Sequence, residues 1–158
     1  MKKAVVKSSL FLVLLYMGAI MLKKALTNTE KEVDVLARTI WGESRGEGST
    51  GMQAVANVIT NRVNGAAWYG ASFEGVCKKP YQFSCWNAND PNSSKCATVS
   101  ENDRYFVQAK TLAEIAVAGN LRDITGGANH YHTKGVKPSW ADASKITAEL
   151  GNHIFYKL

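Results

Sequence analysis

Ile40-Trp41-Gly42-Glu43-Ser44-Arg45-Gly46-Glu47-Gly48 is the stretch where an apolar helical pattern runs into glycine-punctuated loop. Upstream, Val33, Leu36, Ala37, Ile40 and Trp41 recur at the spacing of one helix face. Thr29-x-x-Glu32 has the spacing of a capping box that would open that helix, and Gly42 is expected to close it. Downstream, Met52, Val55, Ala56, Ile59 and Val63 form the inward stripe of a second helix, over Thr50–Val63. A glutamate at the end of the first helix, beside Trp41 and apolar surface, is desolvated, which raises a carboxyl pKa. Glu43 is therefore the candidate general acid, and glycosidic bonds are cleaved by such acids. The plain alternative is a solvated glutamate at a helix end.

Glu47 lies four residues on and would share a helix face with Glu43 if the helix continued. Gly46 and Gly48 argue that it does not, and an ion pair with Arg45 or Arg62 is the simpler role for Glu47. One acid is then left. Hydrolysis with inversion or retention needs two carboxyl groups at defined separations. A lytic transglycosylase does not, because the muramic acid's own 6-hydroxyl attacks and one carboxyl serves first as acid, then as base.

Residues 72–100 are irregular, polar and rich in aromatic side chains, and long ordered loops are commonly functional. Gln82, Phe83, Trp86, Tyr131 and Trp140 supply the aromatic faces and amides that suit a glycan, with core packing the alternative, favoured for Phe83 and Trp140. Ser100-x-x-Asp103 starts a further helix carrying Phe106, Ala109, Ala113, Ala116 and Val117 to a stop at Gly119. Residues Ile146 to Tyr156 read as a hairpin turning at Gly151-Asn152. In His130-Tyr131-His132, strand alternation puts the two histidines on one face and Tyr131 on the other. The expected fold is a helix-dominated α+β domain with one core and a small β-hairpin.

Other chemistries have weaker support. A zinc site would draw on His130, His132, His153 and an aspartate, without an HExxH or paired CxxC motif; no metal and no cofactor are expected. A Cys85–His132 nucleophile pair is conceivable but competes with a disulfide for the same sulfur. Cys77, Cys85 and Cys96 fall close together, and in an oxidising compartment a Cys77–Cys85 bridge is the expected pairing, with reduced buried thiols the alternative.

The formal net charge of +6 is concentrated at the N-terminus. Residues 1–24 hold Lys2, Lys3, Lys7, Lys23 and Lys24 and no acid, while the rest has 14 basic against 13 acidic side chains. The folded part lacks a basic stripe, so no nucleic-acid binding is expected. Ser8 to Leu22 is a charge-free run that would span about 22 Å as a helix, short of a ~30 Å hydrocarbon core. Counting from Ala4, with Lys7 snorkelling, it just suffices. The expectation is a weak signal-anchor helix over 1–26, a linker and helix start over 27–35, and a catalytic domain over 36–158. The positive-inside rule favours an N-terminus in the cytoplasm and the domain outside.

The segments from Ala37 to Glu47, from Gly51 to Val63, Gln82-Phe83-Ser84-Cys85-Trp86, Gly127 to His132, and Gly151 to Tyr156 together resemble the SleB-type cell wall hydrolases, the spore cortex-lytic enzyme family. That resemblance implies a lysozyme-like catalytic fold and cleavage of the MurNAc–GlcNAc bond of peptidoglycan, by a lytic transglycosylase or muramidase without a cofactor. It implies Glu43 as general acid, as the first glutamate of the Gly-Glu-x-Arg-Gly-Glu motif. Glu47, Gln82, Trp86, Tyr131 and His132 are expected to hold the glycan. Spore members typically add a wall-binding domain for which this chain has no room. Its architecture is similar to a phage endolysin of the signal-arrest-release type: a monomer held at the inner membrane, facing the periplasm of a Gram-negative host. The rival readings are an amidase or endopeptidase cutting the stem peptide, and a non-enzymatic wall-binding module.

Overall fold

The computed structural model describes the backbone of residues 2–158 and the side chains from residue 12 onward. It forms two units, Met1–Lys31 and Glu32–Leu158. Helix α1 spans Lys2–Ser44. Residues 27–35 are thus helical, and no capping box opens there. The Thr27 hydroxyl donates to the Lys24 carbonyl at 2.9 Å and that of Thr29 to Ala25 at 3.0 Å. Such back-bonding within a running helix uses the hydroxyls that a cap would need. In the first unit the large apolar side chains from Leu12 to Leu22 are all exposed. Among the described residues no helix is long and apolar enough to cross a membrane. The expected anchor begins in residues 1–11, whose side chains lie outside the described set.

Gly42 also departs from expectation: it lies inside the last turns of α1 and does not stop it. A glycine within a helix costs about 1 kcal/mol relative to alanine. Here its bare Cα is needed, since a Cβ would sit 2.8 Å from Cys85 Cβ and 3.1 Å from Cys85 Sγ. Tertiary packing, not local propensity, sets the residue.

The second unit is built on helix α2, Gly48–Val63, which is buried on two sides. Met52, Val55 and Ile59 join Leu36 and Ile40 of α1, and Phe106, Ala109 and Ala113, in the main core. Ala54 and Val58 face a second, smaller core with Ala128 and Phe155. Each large apolar side chain buried in this way contributes about 1.5–3 kcal/mol. The small residues Ala54 and Ala56 let α2 be approached closely from both sides.

Residues 72–100 break into short pieces: α3 (Phe73–Cys77), a 3-10 turn (Ser84–Trp86) and α4 (Ser93–Thr98). Helix α5, Arg104–Val117, starts at Asp103, whose carboxylate accepts from the amides of Tyr105 and Phe106. The same Asp103 Oδ1 takes the Trp41 indole N–H at 3.0 Å. One carboxylate therefore caps α5 and pins the end of α1 to it.

Three strands close the unit, the expected hairpin joined by a strand through His130-Tyr131-His132. Strands β1 (His130–Thr133), β2 (Ile146–Leu150) and β3 (His153–Tyr156) pair antiparallel in the order β1-β3-β2. Tyr131 lies opposite Phe155 in the register. The β2–β3 turn uses Gly151 at φ 56°, a left-handed position that favours glycine.

Candidate active site

Glu43 projects from the final turn of α1, which other side chains hold in place. Ser44 Oγ donates to the Ile40 carbonyl at 2.8 Å. The Arg45 guanidinium lies 4.4 Å from the Trp41 ring centroid and donates to the Gly42 carbonyl. Cations at a helix C-terminus interact favourably with its dipole. The half-buried Glu43 carboxylate reaches two other segments. Its Oε1 takes the Cys85 amide at a long 3.5 Å, and its Oε2 takes the Tyr131 hydroxyl at 3.2 Å. Trp41, expected to be its apolar neighbour, turns towards Asp103 instead. Residues two apart on a helix do not face each other, so the surroundings of Glu43 come from the 3-10 turn and β1.

Tyr131 is set by its strand. Its ring stacks on Phe155, centroids 5.7 Å apart, and meets His153 edge-on at 5.3 Å. Burial of the hydroxyl, reinforced by the charge of Glu43, raises this phenol well above its ordinary value. It remains a proton donor to the carboxylate at any physiological pH.

Arg62 is the feature that sequence reading missed, except as a partner for Glu47. It is 8% exposed, and burial lowers its pKa while the nearby Tyr131, Tyr69 and Glu43 favour its charge. The guanidinium stays charged, as arginine does in proteins. Its Nε donates to the Asn129 carbonyl at 2.7 Å and its Nη1 to Gln82 Oε1 at 3.0 Å. The signal in the sequence is its position: it follows Ile59 at helical spacing and so falls on the apolar face. A charged residue there must be paired within the fold.

The other expected site residues divide. Gln82 is engaged at both ends, accepting from Arg62 and donating to the Tyr69 carbonyl at 3.2 Å. Glu47 pairs with neither arginine. Its Oε2 accepts from the Asn152 amide at 3.2 Å and lies 3.8 Å from His153 Nδ1, so it braces the β2–β3 turn. Burial holds the His153 imidazole below its ordinary value, opposed by the attraction of Glu47.

Trp86 is half-buried, with its indole N–H donated to Thr39 Oγ1 at 2.8 Å. Together with Lys78, Tyr81 and Asn87 it lines a cavity of about 480 Å³. Phe83 is core, as expected, at 2% exposed; Trp140, read as core, is 38% exposed.

His132 lies on the other side of the sheet from Tyr131. Its Nε2 bonds the Tyr156 hydroxyl at 2.8 Å and its ring packs on Trp140, as does that of His130. His132, expected as a glycan ligand, is on the sheet face opposite to the one that carries Tyr131 to Glu43. His153, which contacts Tyr131, is on the opposite face from His130 and His132, so the three histidines do not converge as a ligand set.

No bridge joins Cys77 to Cys85, the pairing expected from sequence. All three thiols are free and buried. Cys77 lies against Thr39, with burial pushing its thiol up to about 12. Cys85 faces Cys96, not Cys77 and not His132.

Comparison with known proteins agrees with this architecture. The chain is similar to the spore cortex-lytic enzyme of Halalkalibacterium halodurans, 27% identical over 129 residues that make up 80% of this chain and 35% of that protein. The spore cortex-lytic enzyme of Bacillus cereus is 29% identical over 131 residues, 82% of this chain and 45% of the relative. The chain thus spans less than half the length of these relatives. Among solved structures, the catalytic domain of the Bacillus cereus SleB protein superposes with a TM-score of 0.63 at 29% identity, covering 81% of this chain and 91% of that domain. The catalytic domain of the germination-specific lytic transglycosylase SleB from Bacillus anthracis gives 0.62 at 29%, covering 80% and 93%. The family model for cell wall hydrolases matches residues 46–156, from just beyond Glu43 through the whole sheet. With the helix-dominated α+β fold and the three-stranded sheet in place, this chain belongs to the cell wall hydrolase family.

Proposed function

We propose that the chain cleaves the MurNAc–GlcNAc bond of peptidoglycan as a lytic transglycosylase, with Glu43 as its single acid and base. The observation that carries this reading is the isolation of Glu43. It is held by Tyr131 and the Cys85 amide, while Glu47, four residues on, is engaged with Asn152 and His153. A single available carboxyl suits intramolecular displacement. Glu43 gives its proton to the glycosidic oxygen as the bond to C1 breaks. The 6-hydroxyl of the same muramic acid then closes on C1, and its proton passes to the Glu43 carboxylate. Tyr131 holds Oε2 throughout, and Arg62 supplies a fixed positive charge on the protein side. Trp86 offers one face of its cavity to a sugar ring. Gln82 and His132 act indirectly, through Arg62 and Tyr156.

Muropeptide mass spectrometry of digested sacculi is the test. Anhydro-muramic ends are expected, and Glu43→Gln should abolish their release while circular dichroism stays native. Reducing ends would replace transglycosylation with hydrolysis, and free stem peptides would replace it with amidase chemistry. A fully active Glu43→Gln protein would remove Glu43 from the mechanism.

We further propose that the chain is an exported lysin of the phage type, working from the outer face of the inner membrane. Support comes from the lysine-flanked apolar run and from the exposure of Leu12, Leu14, Leu15 and Tyr16, side chains that need an apolar environment. Fractionation of the full chain expressed in a Gram-negative host should place it with the inner membrane or in the periplasm. Recovery in the cytoplasm alone would refute export.

A further inference from the structure

We propose that Cys85 and Cys96 are a disulfide-forming pair that cross-links the 3-10 turn beside Glu43 to α4. Both residues are buried, at 1% and 0% exposed. The Cys96 thiol donates to the Arg38 carbonyl at 3.2 Å, with the Cys85 thiol beside it. Both sulfurs also rest against the bare Cα of Gly42, where a Cβ would lie 3.1 Å from Cys85 Sγ and 3.4 Å from Cys96 Sγ. Two sulfurs packed on one glycine from two segments are neighbours in the fold, whereas bridging remote cysteines requires backbone movement. The contact with Cys85, opposed by burial, lowers the Cys96 thiol, and Arg38 adds to the effect. Cys85 is raised correspondingly. Thiolates, not thiols, attack disulfides.

The oxidant is a small-molecule disulfide such as oxidised glutathione, met while the chain folds and before α4 closes over the pair. Cys96 Sγ attacks one glutathione sulfur and expels the other as thiolate. Cys85, deprotonated in its turn, attacks Cys96 Sγ and expels the second. Two protein thiols lose two electrons and two protons, and one oxidised glutathione becomes two reduced molecules. The product fixes the segment whose Cys85 amide donates to Glu43. Closing a loop of this length should lower the unfolding equilibrium constant about a hundred-fold.

The test is a peptide map of the full chain, refolded from the reduced state in a glutathione redox buffer, alkylated, and digested with trypsin without reduction. Cleavage after Lys78 and Lys95 leaves the three cysteines on three separate peptides. The expected result is a Cys85 peptide linked to the Cys96 peptide, with Cys77 alkylated. Reducing agent should then lower the urea midpoint of the wild type and leave that of Cys96→Ser unmoved. Three alkylated thiols in the wild type, or a link to Cys77, would overturn the proposal. If Cys96→Ser does not fold, the wild-type map still decides. The readout is mass, so it stands or falls separately from the catalytic role of Glu43.

Discussion

Gly42→Ala is a sharp probe of how the end of α1 is packed, because two opposing effects can be sized. Alanine is the better helix former by about 0.8–1 kcal/mol. Its Cβ, however, would sit 2.8 Å from Cys85 Cβ, when carbon pairs prefer about 3.5–4.0 Å. The 3-10 turn must therefore retreat by about 1 Å, and overpacking of that kind costs about 1–3 kcal/mol. The net is a destabilisation of about 0–2 kcal/mol, small because the terms oppose. Activity should suffer more. The Cys85 amide already stands 3.5 Å from Glu43 Oε1, and a further ångström takes it out of hydrogen-bonding range. We expect the variant to fold, to unfold at a modestly lower urea midpoint, and to release soluble fragments from dye-labelled sacculi at least ten-fold more slowly. Gly46→Ala is the control, since a Cβ there meets nothing within 4 Å, and it should behave as wild type. A Gly42→Ala protein more stable than wild type and fully active would show that the turn does not pack on α1 in this way.

Three further outcomes follow from the geometry. Asp103→Ala removes the α5 cap and leaves the Trp41 indole without its acceptor; a loss of about 2–3 kcal/mol in urea unfolding is expected, and a loss below 0.5 kcal/mol would contradict it. Tyr131→Phe removes the donor to Glu43 Oε2 but keeps the ring stack. It should lower turnover about ten-fold or more, with little change in KM, and unchanged turnover would refute a positioning role. Stability should fall as pH drops from 7 to 5. Burial holds the His130 and His153 imidazoles below their ordinary value, so the unfolded chain takes up protons near its pKa of about 6.5 while the native one does not. Asp103, held low chiefly by the Phe106 amide, extends the loss into the acid range below the ordinary aspartate value. Urea midpoints at pH 5 to 8 check the sign, and a higher midpoint at pH 5 than at pH 7 would reverse it.

The parts legible in the sequence are those whose cause is local. Periodicity placed Leu36, Ile40, Met52, Val55, Ile59 and Phe106 in the core, where all are fully buried. Ser100-x-x-Asp103 marks a helix start, though the cap is Asp103 and not Ser100, and Gly151 marks its turn. What escaped depends on partners remote in sequence. Gly42 looks like a stop until Cys85 and Cys96 are seen packed on it. Trp41 looks like company for Glu43 until Asp103 takes its indole. Alternation puts Tyr131 opposite to His130 and His132, and the sheet does carry Tyr131 towards Glu43 on one face while His132 packs on Trp140 on the other. Arg62 was visible as a charge on an apolar stripe, but its partners Asn129 and Gln82 come from elsewhere in the chain.

The bond from Glu47 to the Asn152 amide joins residues 105 apart in sequence, and that from Tyr131 to Glu43 joins residues 88 apart. A chain emerging from the ribosome from its N-terminus makes the glutamate early and its partners late. Until β1 and β3 have docked on α2, Glu43 ends a helix with no hydroxyl to hold it. The order of synthesis therefore acts as a timer: a nascent, truncated or unfinished chain carries the proposed acid without the hydroxyl that holds it, and the proposed catalytic centre is complete only when nearly the whole domain has been made.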